Sequence, residues 1–193
     1  KTRYNLKQYG EAATAFEKQL AIQPNDSDAM TLLASSKAYS GQSGDAVAIL
    51  QKEIAQASAN GAKAPEDLYK RAIQAAYKAK LPVVVQLSRD WVSAYPTAAN
   101  WSDAIRIYRN MNTIDDATTL DLLRLARAAG AMNGEADYDR YAYAAITKGY
   151  PGEAKTVLQE GVKAGVVNAS KSPFKEMIAE AQRKSAGEEA TLA

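Results

Sequence analysis

MTLLASSKAYSGQSGDAVAIL, residues 30–50, carries the pattern that decides the fold. Met30, Leu33 and Ala34 stand at helical spacing before Gly41, and Ala46 and Leu50 stand at helical spacing after it. A glycine in that place supplies the left-handed residue with which a helix ends, so the segment reads as helix, bend, helix. Two antiparallel helices approach to about 8–10 Å only where small residues meet, and Ala34 and Ala46 are the expected crossing pair. The Ala46 slot returns along the chain at Ala12 (with Phe16 and Pro24), Val84 (with Ser88 and Pro96), loosely at Ala117, and at Ala154 (with Leu158), in steps of 34, 38, 33 and 37 residues. A period in the thirties marks stacked helical hairpins, each burying its apolar side against the next.

The front half of each repeat follows a second rule: a large residue, then a large-small pair three places on. It reads Met30-x2-Leu33-Ala34, Leu68-x2-Arg71-Ala72, Trp101-x2-Ala104-Ile105-x2-Tyr108 and Tyr138-x2-Tyr141-Ala142. Tyr138 and Tyr141 fall at core slots, and Ala142 and Ala154 form a second crossing pair. Together with the glycine bends at Gly41 and Gly149, these residues resemble the tetratricopeptide repeat. The resemblance implies an all-α, right-handed α-solenoid of about five stacked hairpins with a C-terminal helix. It weakens at Arg71 and Ser88 in the third repeat, and in the fourth, which lacks the inner glycine and the closing proline.

Helices are expected over 10–22, 26–40, 43–57, 65–79, 81–94, 99–110, 116–130, 135–148, 151–164 and 173–186. Pro24 and Pro96 stop second helices, because proline lacks the N–H needed for continuation and restricts the residue before it. Asn25, Asp26, Ser27 and Asp28 offer caps and first-turn acids to the next helix. Val83-Val84-Val85 has strand character, but its place after Pro82 in the repeat register predicts a helix start. Residues 1–167 are expected to form the array, its first repeat cut at the start and its fourth diverged, and residues 168–193 a loop with a capping helix. Lys1 to Lys7 read as the tail of a helix, and a chain starting at lysine is expected to belong to a longer protein. Ala13 is read as exposed.

The 193 residues contain no histidine and no cysteine, which argues against histidine triads and the usual zinc and haem ligand sets. No glycine-rich phosphate loop occurs, and no cofactor is expected. A net charge of +2 does not point to nucleic acid, and no stretch approaches the roughly 20 apolar residues of a membrane span. Gly161-x3-Gly165 is read as helix packing. Ser172-x-x-Lys175 has the spacing of an acyl-transfer nucleophile but lacks its companion motifs, so Ser172 is read as an N-cap followed by proline. The acid pair Asp115-Asp116 is read as capping and dipole compensation, and Glu188-Glu189, also neighbours in sequence, cannot face each other as glycosidase carboxylates do. Asn168-Ala169-Ser170 is treated as a chance sequon.

The expected function is therefore binding rather than catalysis. In tetratricopeptide arrays the first helix of each hairpin lines the concave face, and counting from the repeat register places Tyr39, Tyr69, Lys70, Tyr77, Arg106, Arg109, Arg140 and Tyr143 there. Tyrosine and arginine are enriched at interface hot spots because each joins apolar area to a directed polar group. The expected partner is a peptide or helical protein segment, acidic or carboxylate-bearing by charge complementarity. Thr31 and Ser35 stand where the carboxylate-clamp branch of the family places a basic residue and an amide, which disfavours a chaperone-tail adaptor. The alternative is a structural assembly subunit, associating with itself or a larger complex through convex or terminal surfaces; an enzyme would need a further domain. Finally, Tyr95-Pro96-Thr97, Leu123-Arg124-Leu125 and Gly149-Tyr150-Pro151-Gly152-Glu153-Ala154-Lys155 with Glu160-Gly161 are similar to bacterial envelope tetratricopeptide proteins, which implies a periplasmic or cell-envelope setting.

Overall fold

The computed structural model describes residues 1–192, with side chains described through Gly187. Among these residues the chain is helical without a strand: α1 (Thr2–Asn5), α2 (Tyr9–Ile22), α3 (Ser27–Tyr39), α4 (Ser43–Ala59), α5 (Glu66–Lys78), α6 (Val83–Ala94), α7 (Ala98–Met111), α8 (Asp116–Ala128), α9 (Glu135–Thr147), α10 (Pro151–Lys163) and α11 (Phe174–Leu192). Val83-Val84-Val85 opens α6, as its register predicts.

Local chemistry sets these boundaries. The Asp26 carboxylate accepts the Ala29 N–H at 2.9 Å and the Gln19 amide at 2.7 Å, fixing the start of α3. Asp115 does the same for α8, accepting the Thr118 N–H at 2.7 Å, so this acid pair does serve a helix start. At the other end of α3, Gly41 has φ of 86° and the Gln42 N–H reaches back to the Lys37 carbonyl at 2.8 Å. Gly149 closes α9 in the same way. The third repeat has no glycine at this place, and Lys80 itself takes φ of 54° while the Leu81 N–H bonds the Ala76 carbonyl at 2.9 Å. Most boundaries lie within two residues of the expected ones, but the last helix extends to Leu192 and its start differs in its cap. The last helix begins at Phe174, and the Pro173 carbonyl accepts the Met177 N–H, so Pro173 and not Ser172 is the N-cap residue.

Contacts divide the chain into two compact units, residues 1–100 with 106–111 and residues 101–105 with 112–193. In the first unit α2 packs on α3, α3 on α4, α4 on α5 and α5 on α6. Ala34 and Ala46 are both fully buried on facing helices of one hairpin, as a crossing pair must be. Ala12, Ala13, Phe16, Ala29 and Leu33 form the core between α2 and α3. Ala13 is thus buried, contrary to the expectation. A core-facing stripe wider than about 100° includes both residues of an i, i+1 pair when it is centred between them, and Ala12-Ala13 is such a pair.

In the second unit α8 packs on α9, and α9 and α10 pack on each other and on α11. Tyr141, Ala142, Ala145, Ala154, Val157, Leu158 and Phe174 form its centre, with Tyr138 packed against it. Gly161 is buried here, and a Cβ at this position would lie 2.6 Å from Val167 and 2.7 Å from Tyr138. Gly161 therefore serves packing within the chain, whereas Gly165, with φ of 70° and open space around it, follows the end of α10, and no helix among the described residues is long and apolar enough to cross a membrane.

The crossings give a stability test. Ala46→Leu and Ala154→Leu place a large side chain at residues with no exposed surface, and such overpacking costs about 1–3 kcal/mol. Ala48→Leu, on the exposed side of the same α4 helix, should be nearly neutral. Thermal melts of the three variants check this, and equal midpoints would refute the register.

Candidate functional site

The residues counted onto the first helices divide between the units, with Tyr39, Tyr69, Lys70, Tyr77, Arg106 and Arg109 in the first and Arg140 and Tyr143 in the second. Tyr39 is 63% exposed at the end of α3, its ring stacked on Tyr9 at 4.7 Å and edge-on to Tyr4 at 6.4 Å. Lys70 lies 3.2 Å from the Glu66 carboxylate. The Tyr77 hydroxyl accepts a hydrogen bond from the Asn110 amide at 2.8 Å. Arg106 and Arg109 lie exposed on α7. Tyr143 is 68% exposed, and Arg140 stands 3.7 Å from Asp137. Tyr69 is the exception to an exposed lining: it is 5% exposed and edge-on to Tyr95. Helix α5 is covered by α4 on one side and α6 on the other, which leaves less of its circumference to solvent. Burial, with Asp90 nearby, pushes the Tyr69 phenol up.

Three polar arrangements were not singled out from the sequence. In the second unit the Arg124 guanidinium clasps Glu153 with both arms at 2.8 and 2.7 Å, and the Tyr141 hydroxyl donates to the same carboxylate at 2.7 Å. Arg127 clasps Glu160 likewise at 2.8 and 2.6 Å. These bidentate pairs lace α8 to α10. Arg124 holds the Glu153 carboxyl below the usual carboxylate range, and Arg127 does the same for Glu160. Burial, assisted by Glu153, pushes the Tyr141 phenol up to about 12. In the first unit, Glu66 gathers the Trp91 indole N–H at 3.1 Å and the Asn100 amide at 2.9 Å besides Lys70. The sequence signal for these contacts is their separation: Arg124 and Glu153 are 29 residues apart, Arg127 and Glu160 33, Glu66 and Asn100 34.

The third arrangement is a cleft of about 680 Å³ in the first unit, walled by the start of α3, the second half of α4 and the start of α5. Glu53 borders it and is 5% exposed, and neither of its carboxylate oxygens has a hydrogen-bond partner. Burial raises its pKa, against the smaller opposite influences of Thr31 and Arg71. The Arg71 guanidinium is engaged elsewhere, with Asp67 at 2.5 Å. Among the described residues no three acidic side chains converge as a metal site would require. The side chains of Glu188 and Glu189 lie outside the described residues.

No protein-family model matches the chain, and no curated protein matches it in sequence.

The Arg124 clasp yields a pH test. Lowered carboxylate pKa values stabilise the fold above the ordinary glutamate range, and that contribution is lost as pH falls through the lowered values. Arg124→Met should cost about 1–2 kcal/mol at neutral pH, the lower part of the range for charged hydrogen bonds because the pair is partly solvated. The deficit should shrink in acid as Glu153 protonates. Urea titrations of both proteins at neutral and acid pH measure it, and a deficit unchanged by acid would refute the assignment.

Proposed function

We propose that this chain is a non-catalytic scaffold whose hairpins are tetratricopeptide-like repeats, stacked within each unit in the right-handed sense, and that it binds a peptide or helical segment of a protein partner. The observation that carries this reading is the exposure of Tyr39 and Tyr143, on the first helices of the second and fifth hairpins, at 63% and 68%. Both helices bury their other large apolar residues wholly or in part. An exposed tyrosine on a rigid helix offers contact area at a small entropic cost. Arg106 and Arg109, exposed on α7, favour an acidic segment and speed its approach by charge complementarity. Support for the repeat register comes from the hydrogen bonds that join residues 29 to 34 positions apart, close to the sequence period.

The test places a photo-crosslinking amino acid at Tyr39, at Tyr143 and at Thr156, an exposed residue on the second helix of the fifth hairpin. In extracts of the source cells the first two should each give a discrete crosslinked partner, and Thr156 should not. With the captured partner in purified form, Tyr143→Ala should weaken binding about tenfold or more, as hot-spot truncations do. Crosslinking from Thr156 alone would overturn the reading and favour an assembly subunit that associates through its convex side.

A further inference from the structure

The cleft beside Glu53 stands apart from the exposed tyrosines and has its own chemistry. Its wall includes Met30 and Thr31 from α3, Glu53 and Gln56 from α4, and Asp67 and Leu68 from α5. Two of its lining residues are acids and none is basic. Met30 and Leu68 supply its apolar wall, and both are nearly buried. Glu53 is the most buried polar residue of the lining, more than nine-tenths buried, with both oxygens covered and unpartnered. A buried carboxylate costs free energy unless it is paired and hydrogen-bonded. A methionine of similar length would fill the position without that cost. Thr31 and Arg71 act on Glu53 only enough to offset part of the effect of burial: no donor lies within hydrogen-bond distance of either oxygen, and Arg71 gives its Nε to Asp67.

We infer that this cleft is a subsite for an organic cation, the guanidinium or ammonium group of an arginine or lysine side chain on a partner segment. The cation displaces the contacts that cover the Glu53 oxygens and supplies the donors they lack. The apolar stem of the same side chain lies along Met30 and Leu68, as long basic side chains do on apolar surface. The inference does not depend on whether the tyrosine-bearing faces bind a partner.

The test uses the full chain with isotope-labelled methionine methyl groups and reports on Met30 by NMR. Three small probes are titrated: Nα-acetyl-argininamide, Nα-acetyl-lysinamide and Nα-acetyl-citrullinamide, the last a neutral near-isostere of the first. A cationic probe should shift the Met30 methyl saturably and leave Met177 in place, and citrullinamide should bind at least tenfold more weakly. Glu53→Gln should weaken the cationic probe at least tenfold while the spectrum elsewhere stays unchanged. A second readout needs no ligand. Glu53→Met removes the orphan charge and should raise the thermal midpoint by on the order of 2–4 °C. Equal binding of citrullinamide, no saturable shift with either cation, or identical affinity of wild type and Glu53→Gln would overturn the inference. So would a lowered midpoint in Glu53→Met, which would mean that Arg71 or another group of the chain already satisfies the carboxylate.

Discussion

A helical hairpin of about thirty residues cannot bury its own apolar side, and everything else in this protein follows from how that deficit is met. The two helices of a hairpin close on each other only where small side chains let their backbones approach. Ala46, Val84 and Ala154, at the repeating slot, have no exposed surface at all, whereas Ala117, counted to the same slot in the diverged fourth repeat, is exposed at the start of α8. Most contacts then run between helices adjacent in sequence, with α11 also reaching α9 in the second unit.

Polar groups follow the same geometry. Glu66 with Asn100 and Tyr77 with Asn110 join residues of successive repeats in the first unit, and Arg124 with Glu153 and Arg127 with Glu160 do so in the second. Buried polar side chains find partners close by: Ser36 donates to the Leu32 carbonyl, Ser88 to the Val85 carbonyl, and Asn100 to both Glu66 and the Tyr95 carbonyl. Against this background Glu53 differs in kind. Its position is as covered as theirs and its charge demands more, yet its oxygens have no donor. A group that costs stability in the free chain is where a ligand has most to contribute.

The helices were legible in the sequence because their signals are local. The apolar spacing, the glycine bends at Gly41 and Gly149 and the caps at Asp26 and Asp115 act within a few residues, and each stands where the pattern places it. Misreadings arose where the answer depends on a neighbouring helix. Ala13 looks exposed from its own helix, but the stripe facing α3 is wide enough to take it. Tyr69 was counted onto an open face, and burial of α5 from two sides encloses it. Ser172 matched a capping pattern, and the helix starts one residue later than the pattern requires. The Glu53 cleft was not legible, since its walls come from three helices and its defining feature is a missing partner. The Arg124–Glu153 clasp lay within reach, because its separation is close to the repeat period.

Because the chain contains no cysteine, the central claim, that residues one repeat apart are neighbours, can be tested by disulfide trapping. The Asn133 amide donates to the Ser102 hydroxyl, 31 positions away. A Ser102→Cys, Asn133→Cys double variant should therefore close an intramolecular disulfide under mild oxidation, visible as a mobility shift reversed by reductant. Ser102→Cys with Tyr143→Cys, whose second site lies further along α9, should remain reduced. Closure of both pairs at equal rates, or of the second alone, would contradict the repeat register on which the account rests.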